Sequence, residues 1–157
     1  MGLKISRWRQ TPFTPDMLHG VCDRAFSKAG IRKPPGWRPA DWSVLEARPL
    51  PGQEVLVAHA RERALGVAVT AVTDGICDLM LIAVDPDLSR AGLGAALIEK
   101  ASKLARPRGA NRVMLEVSAQ NEGACAFYRS IGFEQTGKRK GYFGSGHDAL
   151  VMSRIIR

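Results

Sequence analysis

Ser89-Arg90-Ala91-Gly92-Leu93-Gly94 is the segment with the most direct chemical content. It lies between an apolar run ending at Val84 and a stretch, 93–104, in which Leu93, Leu97, Ala101 and Leu104 recur at helical spacing. A strand, a glycine turn and a helix in that order aim free backbone N–H groups at the positive end of the helix, which suits a pyrophosphate. Glycine matters there because the missing Cβ lets phosphate oxygens approach the backbone. The pattern is too short for a dinucleotide fingerprint and lacks the Lys-Ser/Thr of a P-loop, so it reads equally as an ordinary helix start. A second set lies downstream. Glu116 points to the face opposite Val113, Leu115 and Val117, where it is either a solvated strand carboxylate or a proton acceptor. Asn121 and Tyr128 follow, the latter among Ala124, Phe127 and Ile131 at the spacing of one helical face.

The remaining reactive residue types are scattered. Cys22, Cys77 and Cys125 are an odd count with no Cys-x-x-Cys pair, which argues against a disulfide framework and against a zinc ribbon. They read as small buried thiols in a reducing cytoplasm. His19, His59 and His147 have no metal-ligand spacing, and no metal is expected.

The chain has 157 residues, with 23 Lys+Arg against 15 Asp+Glu, a formal net charge of +8. This length predicts one domain, 1–157, with a core of ordinary size. At 45% hydrophobic and 24% charged, the composition is globular and excludes global disorder. No apolar run approaches the roughly 18 residues of a membrane helix. The first residues show no signal-peptide stretch, so a cytoplasmic protein with no membrane partner is expected. The positive charge suits a phosphorylated cofactor, a nucleic acid or a ribosomal surface. Three Trp, two Tyr and five Phe are few for base stacking, and direct nucleic-acid binding is not expected. Lys138-Arg139-Lys140 reads as a solvated edge strand.

These residues need positioning elements. An edge strand is expected near 3–8. A helix starts at Thr14-Pro15-Asp16 and ends near Gly30, a basic proline-rich loop spans 32–39, and a short helix spans 40–47. Strands follow from Gln53, over 65–72 and over 76–84, with Asp74-Gly75 as a hairpin turn. The apolar half of 76–84 predicts a central strand buried on both faces. Asp85-Pro86 stops it. The helix 93–104, a strand at 113–117, a helix at 121–131 and closing strands at 133–140 and 148–155 complete the chain. The order β-α-α-β-β-β-α-β-α-β-β predicts a single α/β (α+β) domain, a mixed central sheet flanked by helices.

Val84-Asp85-Pro86, then Arg90-x-Gly92-x-Gly94, then Asn121…Tyr128…Gly132-Phe133 closely resembles the GNAT superfamily of N-acetyltransferases over roughly 53–155. Within it, Leu115-Glu116-Val117, 139–143 and 148–152 resemble the RimI-type enzymes, which acetylate the N-terminal alanine of a small-subunit ribosomal protein. The resemblance implies a cofactor-binding core at about 76–135, an acceptor side at about 14–50 and 136–157, and acetyl-CoA as co-substrate. It implies that Ile82, Ala83, Val84, Ser89, Arg90, Ala91, Gly92, Leu93, Gly94 and Asn121 bind the cofactor. Glu116 becomes the base, Tyr128 the general acid, and Trp42, Arg139 and Tyr142 the acceptor walls. The partner is an acceptor protein N-terminus. The chain departs from the family at Ser89, where Gln or Arg is frequent, and at Phe143, where the subfamily commonly has a second tyrosine. Two other readings stay open: the same chemistry on a small amine or lysine side chain, and a basic ribosome- or RNA-binding module without catalysis.

Overall fold

The computed structural model describes residues 2–29, 39–89 and 91–157. The order of elements in it is the one expected: β1 (Lys4–Arg7), α1 (Pro15–Ala29), α2 (Pro39–Ala47), β2 (Gln53–Ala60), β3 (Arg63–Thr73), β4 (Ile76–Val84), α3 (Leu93–Ala105), β5 (Arg112–Ser118), α4 (Glu122–Ser130), β6 (Glu134–Arg139) and β7 (Ala149–Ile155). The strands form one seven-stranded sheet in the order β1-β2-β3-β4-β5-β7-β6. All pairings are antiparallel except β4 with β5.

Two apolar layers cover the sheet. On one face α3 and α4 pack Leu93, Leu97, Ile98 and Tyr128 against Leu56, Leu79, Leu115 and Met152. On the other, α1 and α2 pack Leu18, Val21, Cys22 and Trp42 against Val55, Val57, Val67 and Val69. Gly66 allows the closest approach of the first layer. A Cβ there would stand 3.2 Å from Leu97 Cδ1 and 3.4 Å from Leu93 Cδ2.

The strand β4 is central, as predicted, but it changes faces part-way. Val69 pairs with Leu81 while Thr70 pairs with Leu79, so Met80 is an extra residue in the ladder. Before this bulge Cys77 and Leu79 face α3 and α4; after it Leu81 and Ala83 face α1 and α2. A one-residue insertion inverts every following side chain, because the strand period is two.

The functional cleft follows from what the sheet does next. The parallel pairing of β4 with β5 covers just Ile76, Cys77 and Asp78 opposite Arg112, Val113 and Met114. Beyond it β4 stays paired to β3 as far as Val84, and β5 stays paired to β7 as far as Ser118. Each strand therefore keeps one partner and loses the other, and the sheet opens between them.

Candidate active site

The opening between β4 and β5 is a cleft of about 1110 Å³. Its β4 wall is 79–84, its β5 wall is 115–118, and the N-terminal ends of α3 and α4 close it from one face of the sheet. Of the residues expected at a cofactor site, Ile82, Ala83, Val84, Ser89, Gly92, Leu93, Gly94 and Asn121 line it. Ala91 does not; it is exposed and its N–H donates to Leu88 O at 3.1 Å, inside the turn. Arg90 lies outside the described residues.

The backbone supplies the donors along the β4 wall and at the turn. Asp85 N–H donates to Leu65 O at 2.7 Å, toward β3. Strand alternation then turns the N–H groups of Ile82 and Val84 the other way, onto the edge that β5 has left. At the head of α3 the first bond back is from Ala96 N–H to Gly92 O, 3.0 Å. The N–H groups of Leu93, Gly94 and Ala95 precede it and have no acceptor within the helix. The two glycines of the turn do different things. Gly92 has φ +77° and a Cβ there would meet nothing within 4 Å, so it supplies the left-handed bend and leaves the approach open. At Gly94 a Cβ would stand 3.1 Å from Phe127 Cζ, so this glycine seats α3 against α4. Asn121 caps α4: its Oδ1 accepts from Ala124 N–H at 3.1 Å, leaving its carboxamide N–H groups for a ligand.

Two side chains with acid–base chemistry reach the same cleft. Tyr128 lines it from α4, its ring packed edge-on against Phe133 at 5.6 Å. Burial, with Cys125 a smaller influence, pushes its phenol above the ordinary range. It therefore remains a neutral O–H donor through the physiological range. Glu116 lines the β5 wall and pairs with Arg139, Nε to Oε1 3.0 Å. Beside them Asp78 is pushed up, by burial first and the Glu116 carboxylate second, with Arg139 opposing.

The expected acceptor walls fare differently. Trp42 is a correction. It is fully buried on α2 inside the second core, 6.0 Å edge-on from Trp8, and does not reach the cleft. Trp42, expected on an acceptor wall, turns inward instead, because a tryptophan buries more apolar area than any neighbour. Most of the basic loop before it, 32–38, lies outside the described residues. Tyr142 is half-exposed and does not line the cleft either; it packs on Phe143 at 4.9 Å and under Arg139 at 5.9 Å. Its neighbour Phe143 does line the cleft, together with His147.

With this geometry in place, comparison with known proteins is decisive at the family level. Residues 19–133 match the Acetyltransferase (GNAT) family. The chain belongs to the GNAT acetyltransferase family. Among GNAT relatives, the [ribosomal protein bS18]-alanine N-acetyltransferase of Salmonella typhimurium is 39% identical over 100 residues, covering 62% of this chain and 68% of that protein. The Escherichia coli protein of the same name is 39% identical over 96 residues, covering 57% of this chain and 65% of its own. The chain thus spans about two thirds of the length of these relatives. The solved structure of the ribosomal-protein-S18-alanine N-acetyltransferase from Escherichia coli superposes with a TM-score of 0.77 at 27% identity, over 99% of this chain and 94% of that one. An aminoglycoside 6'-N-acetyltransferase solved with coenzyme A shares the fold, with a TM-score of 0.78 at 15% identity over 98% and 97%.

Several cleft residues of this GNAT domain were invisible in the sequence. Phe143 and His147 come from the β6–β7 loop, 140–148, which folds on itself. Gly141 N–H donates to Asp148 Oδ1 at 2.8 Å and Lys138 Nζ pairs with Asp148 Oδ2 at 3.2 Å. Those contacts hold the Asp148 carboxyl below its ordinary range, the backbone bond first. His147 Nδ1 donates to Gln120 Oε1 at 2.9 Å, tying this loop to the β5–α4 turn. The glycines at 141, 144 and 146 mark a turn, but nothing in the spacing says that it folds over the cleft. The cysteines fit the expected passive role. Burial pushes the Cys77 thiol up to about 11 and the Cys125 thiol upward. Among the described residues no group of three or more His, Cys, Asp or Glu is placed to hold a metal, and no helix is long and apolar enough to cross a membrane.

Proposed function

We propose that this chain is an acetyl-CoA-dependent N-terminal acetyltransferase that transfers acetyl directly to the α-amine of an alanine-starting, small-subunit ribosomal protein. The observation that carries the reading is convergence. One cleft holds an open glycine turn at a helix N-terminus, a strand edge with unpaired donors, and the acid–base pair Glu116 and Tyr128. The identity to bS18-alanine N-acetyltransferases supports the acceptor.

The residues present fit the cofactor. Gly92 leaves room for a phosphate, the first N–H groups of α3 are donors for it, and the outward N–H groups of Ile82 and Val84 suit the amide groups of a pantetheine arm. Asn121 has its N–H groups to offer the same arm. Acetyl-CoA supplies the activated thioester. On this reading the cofactor core is about 76–135, and the acceptor side is about 14–50 and 136–157.

The protein's own tasks are then three. A backbone N–H near 82–84 stabilises the developing oxyanion, the contribution that most often dominates acyl transfer. Glu116 takes a proton from the incoming amine, directly or through water. A peptide α-amine has a pKa of about 7.7–8.0 against about 10.4 for lysine, so the lysine would need about 3.4 kcal/mol more help. One modest carboxylate therefore suits an N-terminal substrate. Tyr128 hydrogen-bonds the departing sulfur. Its raised proton affinity makes early proton release unfavourable, so the donation strengthens as negative charge builds on sulfur.

The test is a thiol-release assay with acetyl-CoA over hexapeptides differing in their first residue, each also prepared with a blocked α-amine. Alanine peptides are expected to react fastest and blocked peptides containing free lysine to be inert. Equal turnover of the blocked peptides would overturn the N-terminal acceptor, and no turnover of any amine would overturn the acetyltransferase.

A further inference from the structure

Glu116 is not free to act as a base in the resting protein, because a cation already occupies it. Arg139 Nε stands 3.0 Å from Glu116 Oε1. The contact is not made between neighbouring strands. Arg139 is on β6 and Glu116 on β5, with β7 between them, so the guanidinium reaches about 10 Å across two strand spacings. What it crosses is apolar: in register, Glu116 is opposite Val151, and Arg139 is opposite Ala149. From the β4 side a second carboxylate, Asp78, joins the cluster, two positions below Glu116 through its register partner Met114. The β3 residue in register with Asp78 is Ala71, which brings no charge. One guanidinium thus serves two carboxylates, and the Asp78 carboxyl is held high by burial and by Glu116, and held down by Arg139.

Arg139 also has a second partner. It sits on the open edge of the sheet with more than half of its side chain exposed, and its guanidinium carbon lies 5.9 Å from the Tyr142 ring centre. That ring face can accept a guanidinium by cation–π attraction. The guanidinium is thus held at once by a carboxylate of the cleft and by an aromatic face outside it, and the aromatic face remains if the carboxylate is taken.

We propose that Arg139 is a place-holding counter-ion, paired with Glu116 in the free protein and released from it, while still lying over Tyr142, when the acceptor's α-ammonium arrives. The inference rests on the acetyltransferase reading above and adds a positioning residue to it. The exchange replaces one cation by another, so the charge beside the two carboxylates is conserved until chemistry begins. The ammonium then gives one proton to Glu116 and becomes the neutral nucleophile. With Arg139 already withdrawn, no fixed cation competes with the ammonium for the carboxylate. Arg139 keeps the carboxylate pair from repelling itself in the empty cleft and leaves when a substrate takes over that duty.

The experiment compares wild type with Arg139→Gln and Arg139→Lys. Carboxyl ¹³C NMR titration of Asp78, without any acceptor, is expected to move upward by about one pH unit in Arg139→Gln and to stay near wild type in Arg139→Lys. With acetyl-CoA and an alanine-starting hexapeptide below pH 7, Arg139→Gln is expected to lower the peptide KM severalfold, since no internal cation competes. Turnover by wild type with an unmoved Asp78 titration, or with a peptide KM that rises in Arg139→Gln, overturns the place-holder alone. No turnover by wild type on any amine removes the reading beneath it as well.

Discussion

On the β4–α3 side of the cleft, the surface a ligand meets is main chain: the outward N–H groups of Ile82 and Val84 and the first turn of α3 behind Gly92. On the β5 side it meets a side-chain carboxylate, Glu116, which Arg139 of β6 pairs from outside the cleft lining, with Asp78 nearby. The first wall is rigid because its donors belong to elements anchored in the cores, β4 by Leu81 and Ala83 in one and α3 by Leu93 and Leu97 in the other. The cation behind the second comes from β6, an edge strand exposed at five of its six positions. The contrast separates two duties. On the proposed reading, a nucleotide cofactor is met by main-chain dipoles, and a substrate that must lose a proton is met by side-chain charge. Substitutions on the first wall should act through shape, whereas those on the second should act through charge and therefore through pH.

The largest effect expected lies on neither wall. Trp42→Ala should lower stability by about 3–5 kcal/mol in denaturant titration, because it empties the centre of the α1–α2 core. Acceptor KM should be little changed in the protein that remains folded. A changed KM without loss of stability would restore Trp42 to the acceptor wall. Next comes the chemistry. Tyr128→Phe should reduce kcat by about 100-fold or more while leaving acetyl-CoA affinity nearly unchanged, a loss confined to the transition state. Glu116→Gln should also reduce kcat, with a loss that shrinks as pH rises and the amine deprotonates unaided. Full activity of Glu116→Gln at pH 7 would remove it as the base.

Gly92→Val tests the rigid wall. A β-branched residue at φ +77° is strained and fills the open approach, so the acetyl-CoA dissociation constant should rise at least about tenfold, or 1.4 kcal/mol. Unchanged affinity by calorimetry in a folded variant would place the phosphates elsewhere. The smallest effect tests the charged wall. Asp78 has a raised proton affinity in the folded state, so folding takes up protons between the ordinary carboxylate range and the folded value. Stability from this group falls as pH rises through that window and stays lower at neutral pH. Asp78→Asn should therefore raise Tm at pH 7, and the gain should vanish below about pH 3.9. A gain that persisted in acid would mean that packing, not charge, is responsible.

Much of the rigid wall was legible before any coordinates. Gly92 and Gly94 flagged the turn, and Asn121 flagged the start of α4. Glycine conformation and a capping side chain are decided within three or four residues, and sequence is a record of local order. The reading went less far for Gly94, whose missing side chain also makes room for Phe127 on another helix. It failed for Trp42, because an aromatic in a short helix after a basic loop has the same local signature whether it points outward or in. Phe143 and His147 escaped notice for a related reason. A glycine-rich loop can fold in many directions, and here the Asp148 carboxylate and the His147–Gln120 bond choose the one that covers the cleft.

The sequence by itself determined the number, type and order of the elements, because helical and strand periodicity, caps and glycine turns are written in neighbouring residues. It also determined which residue types are available for acyl transfer. The tertiary structure decided where they meet. The Met80 bulge, the parting of β4 from β5 after Asp78, and the insertion of β7 between β5 and β6 all depend on pairing choices between distant segments. Those choices bring Arg139 onto Glu116 across a strand that comes later in the chain than either, a contact that spacing along the sequence cannot encode.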